Sequence, residues 1–150
     1  MSEKRVLRNV INGESVEAAD GRTTDLVDPS TGEVFASAPL SSAEDVDRAY
    51  SAAAAAFETW RDTTPSARQA ALLKVADVLE AHAEELVALE SQNTGKPIAV
   101  TMAEEIPPMI DQIRFFAGAA RVLEGRAAGE YMEGFTSFIR REPIGVIGQV

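Results

Sequence analysis

Apolar residues recur every three or four positions through the middle of the chain, and this spacing constrains the fold more than any other feature. The first such segment follows Ser41 and Glu44, which have the spacing of a helical capping box. Its apolar face comprises Val46, Ala49, Tyr50, Ala53, Phe57 and Trp60. A second helix is predicted to begin at Thr64 and Pro65, because threonine caps a helix and proline is tolerated in its first turn.

Two further helical segments are predicted before the pattern changes. One covers about residues 84–93 and ends at Thr94 and Gly95, because glycine readily takes the left-handed conformation that closes a helix. The other runs from about residue 98 to residue 124, and Pro107 and Pro108 interrupt or restart it. The residues of this segment that are expected to pack inward are Ile110, Ile113, Phe116 and Ala117.

Both ends of the chain have the patterns of short strands and turns. Asn12 and Gly13 form the dipeptide that is typical of a tight hairpin, and residues 28–32 (Asp-Pro-Ser-Thr-Gly) predict a second turn. These units indicate a small sheet at the N-terminus. After residue 125, two extended arms flank Glu133 and Gly134, which predicts a third hairpin. Residues 143–150, "PIGVIGQV", are typical of a buried strand.

The third hairpin has three large aromatic residues, Tyr131, Phe135 and Phe138. Such rings would be exposed on a free arm, and a contiguous apolar surface of this kind normally packs against another surface. We therefore expect residues 126–142 to form an oligomerisation hairpin that contacts a neighbouring subunit.

Charge and composition exclude several classes of function. The chain has 14 basic and 24 acidic residues, for a net charge of −10, which argues against nonspecific binding to nucleic acid or to anionic membranes. It has no cysteine, so disulfides, thiolate metal sites and cysteine catalysis are excluded within these residues, and a reducing cytoplasm fits. No apolar run is long enough to span a membrane. The single histidine, His82, is interpreted as a solvated helix-surface residue.

Several segments, taken together and in order, resemble the N-terminal third of the NAD(P)-dependent aldehyde dehydrogenase superfamily. The segments are "INGESVEAADGRTTDLVDPSTGEVFA", "AAAAFETWRDTTPSARQAALLKVADVLEAHAEELVALESQNTGKP", "RFFAGAARVLEG" and "FIRREPIGVIGQV". The resemblance implies an α/β fold. Residues 1–125 would be the N-terminal part of the NAD-binding domain, residues 126–142 the oligomerisation hairpin, and residues 143–150 the first strand of the nucleotide-binding sheet.

The resemblance implies covalent chemistry for the complete enzyme. A cysteine thiolate attacks the aldehyde, hydride passes to NAD or NADP, and a glutamate-activated water hydrolyses the thioester. None of the family's catalytic residues matches a position in this sequence, so the chain alone is expected to be inactive. Val150, at the end of the expected strand, is the implied cofactor-binding position. The complete enzyme is expected to be a cytoplasmic homo-oligomer, either a dimer or a tetramer.

The family often holds a structural K⁺ or Na⁺, and the resemblance places its ligands at the Leu26 and Val27 carbonyls and at Asn93. Asn93 stands where the family usually has aspartate; an amide oxygen can bind the cation but brings no charge. The alternative is that these residues form only a turn and a helix end.

The segments "EIPPMIDQIRFFAGAAR" and "AAGEYMEGFTSFIRREPIGV" most resemble aminobutyraldehyde dehydrogenases, which lie near the betaine-aldehyde enzymes. Residues 104, 105, 108, 111 and 112 have the spacing of one helix face. The resemblance implies that this helix lines the substrate tunnel, with Glu105, Pro108 and Asp111 as substrate-binding residues for a small aldehyde such as 4-aminobutanal. A solvated acidic face is the alternative interpretation.

A second class of function stays open at this point: a truncated, noncatalytic homologue that acts as an oligomerisation or interaction module. The absence of cysteine supports this alternative for the chain as it stands. An unpaired apolar strand at residues 143–150 argues against it, because an exposed strand edge promotes aggregation.

Overall fold

The structure is a computed structural model that describes residues 5–126 and 128–150. Short strands stand at both ends of the chain, and five helices with one π-helical turn fill the middle. The α/β class predicted from the sequence is confirmed. No helix among the described residues combines the length and the apolar character that crossing a bilayer requires.

The N-terminal part contains two small sheets. Strands β2 (Asn9–Ile11) and β3 (Glu14–Val16) form an antiparallel hairpin, and both of its turn residues, Asn12 and Gly13, have positive φ angles of 54° and 78°. This is the geometry of the predicted tight turn. The second sheet has the strand order β1-β5-β4. Its strands are β1 (Arg5–Val6), β4 (Thr23–Val27) and β5 (Val34–Pro39).

Helix α1 (Ala43–Trp60) begins one residue later than predicted, with Ser42 as its N-cap. The Asp45 carboxylate accepts hydrogen bonds from the Ser42 N–H at 2.8 Å and from the Ala19 N–H at 2.9 Å. The predicted cap of Ser41 and Glu44 is therefore wrong. The pairs Ser41–Glu44 and Ser42–Asp45 both have the spacing of a capping box. The second pair forms the cap, and its carboxylate also accepts a hydrogen bond from the distant Ala19 N–H.

The start of helix α2 (Pro65–Ala81) and the bounds of helix α3 (Ala83–Thr94) confirm the prediction. The Thr64 hydroxyl accepts a hydrogen bond from the Ala67 N–H at 3.3 Å, and Gly95 closes α3 with a φ angle of 78°. His82 lies between the two helices, exposed, with its Nδ1 3.2 Å from a Glu85 carboxylate oxygen.

The predicted segment from 98 to 124 is divided into three parts. Helix α4 (Ile98–Val100) runs into a π-helical turn (Thr101–Glu105), and α5 (Ile106–Ala119) follows with a proline in its first turn. The prolines therefore restart the helix, as one of the two predicted alternatives. Helix α5 ends five residues before residue 124, directly after Gly118, a residue type that weakens helices.

Helices α2 and α5 pack against each other, and each contributes a buried alanine. Ala76 and Ala117 are fully buried and Ile110 is 4% exposed, while Ile113 is partly buried. The inward placement predicted for Phe116 is wrong, because its side chain is 61% exposed. Successive helical residues point about 100° apart, so Phe116 and its neighbour Ala117 point in different directions, and only Ala117 is enclosed.

Strands β6 (Gly129–Met132) and β7 (Phe135–Ser137) form the predicted third hairpin. Its rings are exposed, as expected: Tyr131 by 85%, Phe135 by 61% and Phe138 by 71%. Residues 143–150 form no strand, contrary to the sequence prediction. A strand exists through hydrogen bonds to a neighbour, and no described residue pairs with this segment. It lies instead against α1, where the Tyr50 hydroxyl occupies the space of a side chain at Gly148.

Candidate functional site

A groove lies between helix α2 and the segment formed by the π-helical turn and α5. Its volume is about 550 Å³, in the range of small-molecule sites. The lining residues are Leu72, Glu104, Glu105, Pro108, Met109, Gln112, Ile113 and Phe116. A largely apolar wall with two carboxylates at one end suits an elongated apolar molecule with a cationic end.

The π-helical turn determines where the two carboxylates lie. Pro97 precedes α4, and its carbonyl accepts hydrogen bonds from the Thr101 N–H at 3.0 Å and from the Thr101 hydroxyl at 3.2 Å. Thr101 is 3% exposed, so the start of the turn is fixed. Single π-helical turns inside helices are frequent at functional sites. Here the turn ends at Glu105, immediately before α5 begins.

Glu105 forms an ion pair with Lys96. The Lys96 ammonium lies 3.0 Å from a Glu105 carboxylate oxygen and 3.2 Å from a Glu90 carboxylate oxygen. Hydrogen bonds from Lys96 to Glu105 and then to Glu90 raise the pKa of the lysine, and its desolvation only partly opposes this rise. Lys96 therefore stays charged and compensates part of the negative charge at this end of the groove.

The structure separates the three predicted substrate residues. Glu105 and Pro108 line the groove, as does Glu104. Asp111 is exposed on α5 and does not belong to the lining. Residues 104, 105, 108 and 112 share the groove, whereas residue 111 points about 100° away from residue 112 around α5. The part played by Lys96 was missed by the sequence analysis, because it comes from another segment.

The segments predicted to hold a cation lie close together. Helix α3 ends beside the turn at residues 28–32, so that a side chain on Gly95 would come within 3.1 Å of the Pro29 Cγ. Leu26 and Val27 lie at the end of β4, directly before that turn, and Asn93 is exposed near the end of α3. Among the described residues, no three or more histidine, cysteine or acidic side chains form a group that could hold a metal. The ligands predicted here are of a different kind, namely two backbone carbonyls and one side-chain amide.

The sequence model of the aldehyde dehydrogenase family matches residues 16–150. The chain belongs to the aldehyde dehydrogenase family. It is 39% identical over 142 residues to the long-chain-aldehyde dehydrogenase of an Acinetobacter species, covering 95% of this chain and 28% of that protein. It is 40% identical over 145 residues to the NADP/NAD-dependent aldehyde dehydrogenase PuuC of Escherichia coli (strain K12), covering 95% of this chain and 29% of that protein.

The fold of this family member also matches solved aldehyde dehydrogenase structures. The NAD⁺ complex of the aldehyde dehydrogenase from Bacillus cereus superposes with a TM-score of 0.86 at 33% identity, covering 95% of this chain and 29% of that one. The chain thus spans a little over a quarter of the length of the relatives it matches. Val150, the implied cofactor-binding position of the family, is exposed at the last residue of the structure.

The structure has a second recess that the sequence did not predict. It has a volume of about 930 Å³ and lies between the α1–α2 connection and residues 138–143. Arg61, Arg68, Arg140 and Arg141 are among its lining residues. All four hold local structure or local carboxylates. Arg68 donates to the Arg61 carbonyl at 2.8 Å, and Arg141 donates to the Glu124 carbonyl at 3.0 Å. Arg61 pairs with Glu58 at 3.3 Å, and Arg140 pairs with Glu142 at 3.6 Å.

Proposed function

We propose that this chain is the N-terminal part of an NAD(P)-dependent aldehyde dehydrogenase that oxidises aldehydes with a cationic end, such as 4-aminobutanal, to carboxylic acids. The observation that carries the proposal is the family match over residues 16–150. The names of two matched proteins, an NADP/NAD-dependent enzyme and an NAD⁺ complex, support the choice of cofactor. NAD(P) supplies the hydride acceptor of the reaction.

The part of this chain in the reaction is substrate binding. Its 150 residues contain no cysteine, so the thiol chemistry of the family takes place outside them, and the isolated chain is expected to form no NADH. The groove supplies an apolar wall for the carbon chain and carboxylates for the distant amine. An ammonium group that enters the groove loses water, and nearby negative charge compensates for that loss.

Glu105 is the carboxylate that we assign to the cationic end of the substrate. It lines the groove with Pro108, and its place at the end of the π-helical turn fixes its backbone. Asp111 becomes the weaker candidate, since it does not line the groove. The same proposal includes a structural K⁺ or Na⁺ at the Leu26 and Val27 carbonyls and Asn93. The contact between Gly95 and Pro29 supports this site, because it brings those segments together.

The assignment of Glu105 is tested with two aldehydes of nearly equal size. In the full-length enzyme, Glu105→Gln keeps the shape of the side chain and removes its charge. We expect the KM for 4-aminobutanal to rise about fivefold, because a partly exposed charge pair contributes modestly. The KM for pentanal should change little. Glu14→Gln, an exposed carboxylate on β3, is the matched control and should change neither KM.

Two results would contradict the assignment. Equal increases for both aldehydes would indicate a packing defect rather than a charge effect. Unchanged KM values for both aldehydes would mean that Glu105 belongs only to the solvated acidic surface and does not bind the substrate.

We further propose that the full-length enzyme is a homo-oligomer in the cytoplasm, with the hairpin at a subunit contact. The exposed rings of Tyr131, Phe135 and Phe138 support the contact, and the lack of cysteine fits a reducing compartment. The same rings favour the second candidate function, a noncatalytic association module. NADH formation by the full-length protein would decide for the enzyme.

A further inference from the structure

We propose that Lys96 is a specificity-determining residue, which limits the affinity of the groove for cationic aldehydes by compensating the charge of Glu105. This inference deepens the proposed function and rests on it. Lys96 does not line the groove, so it would act on the substrate through Glu105 and through its own field. It is therefore a positioning residue, and it makes no contact with the substrate.

The backbone on both sides of the ion pair is anchored. Gly95 closes α3 in the left-handed conformation, and a side chain there would press on Pro29. The Lys96 N–H donates to the Thr94 hydroxyl at 3.3 Å, and Pro97 follows with its restricted φ angle. The lysine therefore leaves a fixed point of the chain, and its ammonium reaches Glu105 nine residues further on.

The three charges form a bridge from α3 to the π-helical turn. Glu90 belongs to α3, Lys96 follows the end of that helix, and Glu105 ends the turn that lines the groove. Glu90 and Glu105 together carry two negative charges, and Lys96 removes one of them. A cation entering the groove meets Glu104 and a Glu105 that already has a partner, so its attraction is weaker than two adjacent glutamates would provide.

Lys96 and the substrate ammonium compete for Glu105, and this competition predicts that removal of the lysine charge strengthens the binding of a cationic aldehyde. A substrate ammonium and the Lys96 ammonium are both hydrogen-bond donors to the same carboxylate, and they repel each other at close range. Removing the lysine charge releases Glu105 and removes that repulsion. An uncharged aldehyde takes no part in either interaction, so its binding should be unaffected.

The test compares variants of the full-length enzyme by the ratio of the KM for 4-aminobutanal to the KM for pentanal. Lys96→Met keeps the length of the side chain and removes its charge. We expect this ratio to fall about two- to fivefold, with kcat unchanged, since exposed pairs have modest coupling. Lys96→Arg retains the charge and should keep the ratio of the wild type. Lys74→Met, at an exposed lysine on α2, should leave the ratio unchanged.

The outcomes separate this inference from the proposed function. An unchanged or increased ratio in Lys96→Met overturns the inference, whatever Glu105→Gln does. If Glu105→Gln raises the ratio while Lys96→Met leaves it unmoved, only the inference fails. If neither variant moves the ratio, the assignment of Glu105 to the cationic end fails as well. A fall that also occurs in Lys96→Arg would mean that shape, not charge, is responsible, and it would overturn the inference.

Discussion

Ile110 offers a graded test of the packing between α2 and α5. Its side chain is 4% exposed, and Ala76 of α2 and Ala117 of α5 are also buried. Ile110→Val removes one carbon atom and should destabilise the folded state by about 1 kcal/mol. Ile110→Ala removes three. At about 0.8 kcal/mol for each buried methylene, the loss of transfer free energy is about 2.4 kcal/mol. The cavity adds to this loss, so the total should lie in the upper part of the range of about 2–5 kcal/mol.

The assay is the thermal midpoint of the full-length protein at one fixed scan rate, followed by tryptophan fluorescence. The control is Lys74→Ala on the exposed side of α2, a change expected to stay within about 0.5 kcal/mol. The midpoint of Ile110→Ala should fall two to four times as far as that of Ile110→Val. If both Ile110 variants melt with the control, this helix pair does not contribute to the barrier or the stability that the assay reports, and the reasoning from burial is refuted.

Two further predictions concern the buried cap of α1 and the exposed hairpin. The Ser42 N–H above all, and then the Ala19 N–H, lower the pKa of the Asp45 carboxyl below its ordinary value of 3.8. The resulting stabilisation is complete above that value and is lost as the pH falls through the lower folded pKa. Asp45→Asn should therefore lower the urea midpoint most at neutral pH, with the difference from wild type narrowing below about pH 5; a constant difference would contradict it. For the hairpin, Phe135→Ser with Phe138→Ser should shift the full-length protein to smaller species in light scattering, and an unchanged mass would speak against a subunit contact there.

Local signals predicted most of the element boundaries. Asn12 and Gly13 have the positive φ angles that their turn requires, Thr64 caps α2, and Gly95 closes α3. Each of these features depends on the conformational preference of one or two residues, which the sequence displays directly. The position of the α1 cap failed by one residue because Asp45 gains a hydrogen bond from Ala19, which lies 26 residues away.

The candidate site was predictable only in part, because it also depends on contacts between residues that are distant in the sequence. Glu105 and Pro108 line the groove, and their part in substrate binding stays a prediction. Asp111 does not line the groove, because it points to a different side of α5 from Gln112 and Phe116. Lys96 reaches Glu105 from a different segment, and neither periodicity nor spacing in a single sequence reports such a contact. The strand expected at residues 143–150 needs a partner strand, and its sequence cannot supply one.

The buried alanines of α2 and α5, Ala76 and Ala117, should influence the width of the groove without lining it. One wall of the groove includes Leu72 of α2, and the other includes Gln112 of α5, while Ala76 and Ala117 are fully buried in the same helix pair. Side chains of one carbon atom act here as spacers. We expect a larger residue at either buried position to disturb the packing of its helix and thereby shift the walls. A mutagenesis library aimed at a new substrate range should therefore include these two hidden positions, which a library restricted to the visible wall would omit.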